Sequence, residues 1–486
     1  MSGIAERQRA DTGFLGQPRV LASLFGVEMW ERFSFYGMQG ILLIYLYHSA
    51  DRGGLGISQD TATSIVGAYG GLVYLSTVLG AWVADRLLGP ERVLFASGVV
   101  VLCGHLALAL LPGLSGVGVG LVLIALGSGG VKATATALVG TLYAAGDERR
   151  DAGFSLFYLG INVGALVGPL LTGLLRDTAG FHYGFGLAAV GMAAGLAQYA
   201  AGRRRLPEEA GRVPDPLPAA HRTRAAVLGA AAVALLAALG LLGVVTADRL
   251  DEIVIGFSVV AAVACFALVL GSRHVDGAER RRVLAFVPLF LASVMFWALF
   301  QQQFTVVTVY ADQRLDRDLF GWEMPVAWVQ SINPVFIIAL APVFAALWTA
   351  LGSRQPSTPV KFAVGTALMG VAFLLFLPMS GGGPGSAPLL GLAGVLLVFT
   401  CAELWLSPVG LSVTTKLAPQ AFRTQMVALF FLSVALGSAL AGTLAGYYSP
   451  DTERAYFGLL GGTAIGLGVL LLLLSPLVRR LMGGVR

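Results

Sequence analysis

The sequence predicts an all-α, polytopic membrane protein with fourteen transmembrane helices, and three observations support that prediction. Of the 486 residues, 56% are hydrophobic and only 12% are charged, whereas soluble globular proteins carry about 25% charged residues. Fourteen segments are apolar over the ~20 residues that a helix needs to cross a bilayer. Only helices and closed barrels satisfy every backbone polar group inside lipid, and segments this long and this continuously apolar are helices.

The predicted spans form three groups along the chain. The first six cover residues 21–47, 59–84, 92–111, 116–143, 154–175 and 182–201, the next two cover 223–245 and 252–271, and the last six cover 284–310, 325–350, 361–380, 387–415, 422–448 and 455–480. We therefore predict an N-terminal six-helix bundle (1–202), a cytoplasmic linker rich in proline and charge (203–222), an inserted transmembrane helix pair (223–272) and a C-terminal six-helix bundle (273–486). Two six-helix halves favour a secondary transporter with its site between them, near the midplane.

The distribution of basic residues predicts the orientation. An even number of spans places both termini on one side, and cytoplasmic loops carry the excess of Lys and Arg. With both termini inside, the cytoplasmic segments hold about four times as many basic residues as the external loops, whose basic residues are Arg52, Arg176, Arg249, Arg314, Arg317 and Arg454. The polar N-terminal segment does not resemble a signal peptide. We expect a multi-pass protein of the plasma (inner) membrane with both termini in the cytoplasm.

Composition and motifs argue against several other classes. Cys103, Cys265 and Cys401 lie in apolar runs without disulfide or metal-ligand spacing, so we expect neither a disulfide nor a bound metal. The basic residues are scattered in short loops, so nucleic acid is not an expected partner. A membrane-embedded enzyme is the alternative from a different class, but we find no Ser/His/Asp, HExxH or paired-Asp motif to support it. We therefore predict no catalytic residues.

Five ionisable residues lie deep inside predicted spans. They are Glu28, Glu31, Arg32, Lys132 and Glu403. One charge at the bilayer centre costs about 2.5–3.5 kcal/mol on the lenient insertion scale, so these groups are expected to face a cavity or one another. On the first helix, EMWERFSFYGMQ places all its charges with Phe35, Tyr36 and Gln39 in an arc of about 140°. The alternative is an ion pair within this helix that only locks its packing.

Small residues surround the second cation. Lys132 lies in ALGSGGVKATATALVG, where glycine and alanine let helices approach and leave room for the lysine side chain to enter a cavity; the alternative is a lysine that snorkels to the membrane surface. In FYLGINVGALVGPL, Gly160, Gly164 and Gly168 share one helix face and predict a helix contact. Asn162 beside them is interpreted as a substrate ligand or as a bridge between helices.

Polar residues also interrupt the spans of the C-terminal half. Three consecutive amides, Gln301–Gln303, lie in MFWALFQQQFTVV and favour a wet cavity over a lipid face. Asn333 precedes Pro334, which we expect to kink its helix. Glu403 is a lone acid in FTCAELWLSPVGLS with Ser407 one turn later, and a functional role is favoured for it over a structural one.

These stretches together resemble the proton-dependent oligopeptide transporter family of the major facilitator superfamily. EMWERFSFYG matches the family's ExxERFxxYG signature, and GAWVADRLLGPERV resembles the superfamily's Gly–Asp–Arg gating motif. GSGGVKATATALVGTLY, DERRDAGFSLFYLGINVGALVGPL, SINPVFIIALAPVFAALW and AELWLSPVGLSVTTKLAP fit as well. The resemblance covers nearly the whole chain and implies the major facilitator fold, with the inserted helix pair that is typical of bacterial members.

The resemblance also implies roles for individual residues. Arg32 and Lys132 would contact the peptide carboxylate, and Glu403 would contact the peptide amino group. Glu28 and Glu31 with Arg32 would form the proton-linked cluster, and a Lys132–Glu403 salt bridge would break and re-form at the cytoplasmic gate. The other residues assigned to substrate binding are Tyr36, Tyr74, Asn162, Trp297, Gln301, Asn333, Trp405 and Ser407, and those assigned to gating are Gln39, Gln301, Asp85 and Arg86.

The chain departs from the family pattern at three places. Gln39 stands where an arginine is common and Gln301 where a glutamate is common. Because those two positions usually pair across the extracellular gate, losing both charges leaves no unpaired ion, but it removes a carboxylate that could carry a proton. The third departure is Lys132-Ala-Thr in place of Lys-Pro-Asn.

The resulting functional prediction is a proton-coupled symporter of di- and tripeptides that works by alternating access. Its energy source would be the proton gradient, with no cofactor, and its partners would be a small peptide, protons and the lipid bilayer, with the monomer as the working unit. The alternative is a family member that carries a modified peptide, a peptide-like antibiotic or another organic anion with altered proton coupling.

Overall fold

The computed structural model describes residues 12–144, 147–243 and 246–484. The N-terminal Arg7 and Arg9 and the C-terminal Arg486, which we predict to be cytoplasmic, lie outside the described residues. The first seven long helices are α1 Leu21–Tyr47, α2 Gln59–Val83, α3 Pro90–Leu110, α4 Gly113–Thr141, α5 Arg150–Ala179, α6 Phe181–Gly202 and α7 Ala219–Leu241. The remaining helices are α8 Leu250–Gly271, α9 Gly277–Phe300, α10 Val306–Gln313, α11 Ile332–Leu351, α12 Thr358–Leu374, α13 Leu389–Leu417, α14 Arg423–Ala445 and α15 Glu453–Leu481.

By length and composition alone, twelve described helical stretches could cross a membrane. Helix α1 is not among them, because Glu28, Glu31 and Arg32 lie near its centre and lower its hydropathy. The prediction of a helical, polytopic membrane protein is therefore confirmed at this coarser level.

The chain divides into two compact units. Unit 1 comprises Met1–Gly56 and Leu72–Leu250, and unit 2 comprises Ile57–Gly71 and Asp251–Arg486. The N-terminal part of α2 thus groups with unit 2, and the two inserted helices are divided, with α7 in unit 1 and α8 in unit 2. The four-part domain organisation predicted from the sequence stays a prediction.

Each unit buries its own apolar core. In unit 1, residues from α1, α3, α4 and α6 form one cluster that includes Leu24, Val101, Leu138, Met192 and Tyr199. In unit 2 the core is aromatic: the rings of Phe376 and Phe457 stack with centroids 4.2 Å apart, and Phe373 and Phe399 stack at 5.7 Å. These stacked rings hold α12, α13 and α15 together.

Glycines on α5 bring that helix close to α1, which confirms the predicted helix contact and identifies the partner helix. A Cβ built on Gly164 would lie 2.9 Å from the Cβ of Arg32, and one on Gly168 would lie 3.0 Å from the amide nitrogen of Gly37. One turn further along, Thr172 donates a 2.8 Å hydrogen bond to the carbonyl oxygen of Gly37. Because side chains are absent at the crossing, the charged part of α1 lies directly against α5.

The predicted span 284–310 is not one continuous helix. Helix α9 ends at Phe300, Gln301–Phe304 form a 3₁₀ turn, and Thr305, with φ −120° and ψ −95°, separates that turn from α10. The kink that the sequence predicts at Pro334 stays a prediction. Pro334 lies in the first turn of α11, directly after the 3₁₀ segment Val326–Ser331, where a missing amide removes no bond from within the helix.

A small hairpin is an exception to the all-α prediction. Asp318–Leu319 (β1) and Trp322–Glu323 (β2) pair antiparallel between α10 and α11, with Asp318 opposite Glu323. Phe320 and Gly321 form the turn with positive φ angles of 57° and 85°. These are the only strands in the described parts of the chain.

Candidate functional site

The charged face of α1 forms a buried ion-pair cluster in unit 1. Arg32 donates from Nε (2.8 Å) and Nη2 (2.7 Å) to Oε1 of Glu28, and its Nε lies 3.3 Å from Oε2 of Glu31. All three side chains are at least nine-tenths buried. The other oxygen of Glu28 and both oxygens of Glu31 accept no hydrogen bond from the described residues. The cluster therefore holds two carboxylates for one guanidinium.

Lys132 supplies the second positive charge of this cluster. It lies within electrostatic range of Glu28, Glu31 and Arg32. Its Nζ is 4.8 Å from the ring centroid of Phe35 and 4.9 Å from that of Tyr74, so cation–π attraction holds the ammonium inside the protein. The snorkelling alternative is therefore wrong.

The small residues around Lys132 act as predicted. A Cβ on Gly80 of α2 would lie 2.6 Å from the Cα of Gly130, and a Cβ on Gly130 would lie 2.9 Å from the Cβ of Ser97 on α3. Helix α4 can therefore approach both α2 and α3 at the level of the lysine.

The rest of the predicted α1 face is also inside unit 1. Tyr36 is half-buried, its ring packs edge-on against Phe35 at 5.2 Å, and Gln39 is 4% exposed. Leu24, Met38 and Leu42 on the opposite face are buried as well, so α1 contacts protein on both faces.

Asn162 bonds within its own helix. Its Nδ2 donates a 2.9 Å hydrogen bond to the carbonyl oxygen of Tyr158 one turn earlier. This bond lies within α5. The side-chain nitrogen of Asn162 therefore does not bridge two helices among the described residues, as the alternative interpretation expects. The role of Asn162 in substrate binding stays a prediction.

The Asp85–Arg86 motif of the predicted gate contacts the linker. Asp85 and Arg86 lie in a π-helical turn, Ala84–Leu88, that ends α2. Arg86 forms an ion pair with Asp215, whose amide donates to the carbonyl of Asp85 at 2.9 Å; the amide of Leu217 donates to the carbonyl of Arg86 at the same distance. Sequence reasoning missed Asp215, since nothing in VPDPLP indicates which surface it contacts.

Glu403 lies half-buried on α13 in unit 2, beside Asn333. The Nδ2 of Asn333 donates to Oγ1 of Thr400 at 2.9 Å and to Oε2 of Glu403 at 3.4 Å. No basic side chain forms an ion pair with Glu403 in the described part of its own unit. Asn333 and Glu403, predicted separately from the sequence, are thus brought together, and Thr400 is a partner that sequence reasoning missed.

The aromatic residues assigned to the pocket take two positions. Trp405 packs edge-on against Trp348 at 5.0 Å, and Ser407, on the same helix, is half-buried. Trp297 is 8% exposed and packs against Phe300 at 5.3 Å, while its Nε1 donates to none of the described residues.

The three glutamines at the break after α9 point to different partners. Gln301 donates from Nε2 to Oγ of Ser438 at 2.8 Å, and Oε1 of Gln302 accepts from the hydroxyl of Tyr456 at 3.0 Å. The backbone carbonyl of Gln303 accepts from Nε2 of Gln330 at 2.7 Å. Successive residues of a 3₁₀ turn point about 120° apart, so the three side chains do not share one face, and the amides of Gln301 and Gln302 and the backbone of Gln303 stabilise the break.

Two further acids are buried just outside the predicted spans 252–271 and 455–480. Asp251 is 3% exposed and Glu453 is 1% exposed, and each lies in the first turn of a helix. Glu453 is bound by Arg314, whose Nη2 lies 3.1 Å from Oε2, and by the Tyr448 hydroxyl at 2.9 Å. Asp251 accepts hydrogen bonds from two hydroxyl groups. The sequence does not predict their burial, because both residues lie just outside the predicted spans, where acidic side chains are usually exposed.

The chemistry available is ionic recognition together with proton transfer. Unit 1 presents a guanidinium and an ammonium beside two carboxylates, and unit 2 presents a carboxylate beside an amide. The Lys132–Glu403 salt bridge and the Gln39–Gln301 pairing stay predictions. Within the described residues, no group of three or more His, Cys, Asp or Glu side chains is arranged to hold a metal ion.

The chain is similar to known transporters along almost all of its length. The family model "PTR2: POT family" matches residues 91–459. The chain is 44% identical over 482 residues to the uncharacterized transporter YclF of Bacillus subtilis, covering 97% of this chain and 96% of that protein. It is 40% identical over 494 residues to the di-/tripeptide transporter of Lactococcus lactis subsp. cremoris, covering 98% and 99% of the two chains. A crystal structure of the peptide transporter POT, a point mutant in complex with alafosfalin, has a TM-score of 0.93 at 43% identity and covers 100% of both chains.

Proposed function

The chain belongs to the POT family, and on that premise we propose that it is a proton-coupled symporter of di- and tripeptides. The observation that carries the proposal is the α1 cluster, in which Glu28 and Glu31 share one guanidinium and Lys132 lies within electrostatic range. A peptide carboxylate entering beside Arg32 would compete with these glutamates for the cation. Protonation of one glutamate relieves that competition, which links proton binding to peptide binding.

The ends of the peptide would be read by charges of opposite sign. We assign the peptide carboxylate to Arg32 and Lys132 and the amino group to Glu403, which Asn333 orients by its hydrogen bond. Tyr36, Tyr74, Asn162, Trp297, Gln301, Trp405 and Ser407 complete the proposed substrate contacts. Recognition through the termini accounts for a carrier that accepts many side chains.

Gating and membrane topology belong to the same proposal. Gln39, Gln301, Lys132, Glu403, Asp85 and Arg86 are the gating residues, and two six-helix bundles with an inserted pair give fourteen spans. Because basic residues concentrate on one side, both termini lie in the cytoplasm and the protein spans the inner membrane. It works as a monomer in the lipid bilayer, with the proton gradient in place of a cofactor and without enzymatic activity.

Uptake by purified protein in proteoliposomes tests the function. With an imposed inward proton gradient, labelled dialanine should accumulate above its equilibrium level, and collapsing the gradient with an uncoupler should return it to equilibrium. Equal accumulation with and without the gradient would contradict proton coupling. Vesicles without protein and vesicles with heat-denatured protein are the controls.

One observation favours the second candidate, a carrier of a modified peptide, peptide-like antibiotic or other organic anion with altered coupling. Gln301 is uncharged and its amide donates to Ser438, so this position cannot release a proton. A point mutant of a similar peptide transporter POT forms a complex with alafosfalin. Thermal stabilisation of the purified protein by alafosfalin but by no di- or tripeptide, at pH values from 5 to 8, would favour this candidate.

A further inference from the structure

We propose that unit 2 carries a binding site for a phosphate-type anion, separate from the proposed peptide site. A cavity of about 840 Å³ is lined by the loop after α11, the start of α12 and the C-terminal parts of α13 and α15. None of the unit 2 residues assigned to peptide binding lines it. The described C-terminal end of the chain, with Met482 and Gly484, closes one side.

Positive charge dominates the lining. Lys361, Lys416, Arg479 and Arg480 all line the cavity, and among the described lining residues none is acidic. Lys361 and Lys416 are close enough for their charges to repel each other. An anion between them would convert that repulsion into attraction on both sides.

One of the four cations, Lys361, is held in place by two neighbouring side chains. Lys361 is 9% exposed, its Nζ donates to Oε1 of Gln355 at 2.8 Å, and it lies 4.3 Å from the ring centroid of Trp348. Gln355 is fixed in turn, because its Nε2 donates to the carbonyl of Trp348 at 2.7 Å. An ammonium needs little reordering when its position is set by such contacts, which favours binding.

Neutral residues complete the lining, and two of those at the start of α12 carry a hydroxyl group. Ser357, Thr358 and Pro359 line the cavity at the first turn of α12, a helix of 17 residues. The hydroxyl of Ser357 is buried and has no hydrogen-bond partner among the described residues. The start of a helix attracts anions through its free amides and its dipole, so this turn adds to the four cations.

Phosphate chemistry fits this combination best. Two arginines supply forked donors that match phosphate oxygens, and two lysines supply point charges. In the topology proposed above, these helix ends lie on the cytoplasmic side of the membrane, where basic pockets between helices accept phospholipid headgroups. The shared ligand chemistry is a phosphate group, carried by an anionic lipid or free in solution.

Binding to the purified full-length chain tests the site. The wild-type protein in neutral detergent is titrated with phosphatidylglycerol, with phosphatidylcholine or with inorganic phosphate, and affinity is read by native mass spectrometry and by thermal shift. The test variant is K416Q/R479Q/R480Q, which leaves the buried Lys361 untouched. The matched control is R204Q/R205Q/R212Q, which removes the same number of exposed charges from the linker.

We expect phosphatidylglycerol to bind the wild type and the control with equal affinity. Phosphatidylcholine should bind neither. Each basic residue near an anionic headgroup contributes about 1 kcal/mol, so the triple variant should bind about a hundredfold more weakly. Stabilisation by inorganic phosphate alone, lost in the same variant, would support the anion site with a free ligand. Equal phosphatidylglycerol affinity and equal phosphate response in the variant, the control and the wild type would overturn the proposal. A ligand-free unfolding temperature of the variant close to that of the control shows that the variant is folded.

Discussion

Asp251 in the first turn of α8 accepts a 2.6 Å hydrogen bond from the hydroxyl of Ser64 on α2. Its other carboxylate oxygen accepts a 2.6 Å hydrogen bond from Thr443 on α14. All three residues belong to unit 2, and each is distant from the other two along the chain. One inserted helix therefore ties the N-terminal part of α2 to α14, although the composition of the pair indicates only a membrane-spanning hairpin.

Replacing Asp251 should destabilise the protein. In D251A, the buried hydroxyl of Ser64 and the half-buried hydroxyl of Thr443 lose their acceptor, and a buried polar group without its partner costs about 1–3 kcal/mol. We expect thermal unfolding in detergent at a lower temperature, and less than additive effects of D251A and S64A in a double-mutant cycle. T463A, which alters an exposed threonine, should leave the unfolding temperature unchanged. Additive effects of D251A and S64A would show that the hydrogen bond contributes nothing.

Neutralising Arg32 should damage both stability and transport. R32Q leaves Glu28 and Glu31 buried without their guanidinium, and removing one partner of a buried ion pair costs about 3–5 kcal/mol. The double variant E28Q/R32Q should regain much of the unfolding temperature that R32Q loses, because E28Q removes one of the two unpaired negative charges. Dialanine uptake should stay low in both variants if Arg32 binds the peptide carboxylate. Recovery of uptake in the double variant would mean that Arg32 acts only in packing.

Replacing Glu403 should remove recognition of the peptide amino group. Wild-type protein should prefer dialanine to N-acetyl-dialanine, since acetylation removes the cation that the carboxylate binds. In E403Q we expect this preference to fall at least tenfold, measured as competition for uptake of a labelled peptide. E323Q, which neutralises an exposed acid of the hairpin, is the matched control. An unchanged preference in E403Q would remove Glu403 from substrate recognition.

Reversing the Arg86–Asp215 ion pair tests the contact between the gating motif and the linker. Asp215 is largely exposed, and exposed ion pairs contribute about 0–1 kcal/mol, so D215R should change the unfolding temperature little. We expect D215R to slow uptake severalfold by repelling Arg86, and R86D/D215R to restore part of the rate. If both variants transport at the wild-type rate, the contact has no role in gating.

Several features of the site follow from the sequence alone. A charge in lipid costs several kcal/mol, so ionisable residues in apolar spans must face protein, and the structure buries Glu28, Glu31 and Arg32 together. Helix periodicity places them on one face, and Gly164 and Gly168 predict a close helix contact, which the structure shows to be with α1. These inferences succeed because each depends on residues within a few helical turns.

Other features depend on partners far along the chain, and only the tertiary structure decides them. The three glutamines of Gln301–Phe304 indicate a polar environment but not a helix break, and the amides of Gln301 and Gln302 bond to Ser438 and Tyr456 on distant elements. Asp251 and Asp215 read as loop residues, yet each binds a group more than a hundred positions away. The sequence by itself determined most of the long helices and the charged face of α1, because lipid and helix periodicity act locally. The tertiary structure decided which distant group bonds to each buried polar atom. That choice depends on the positions of elements that folding brings together.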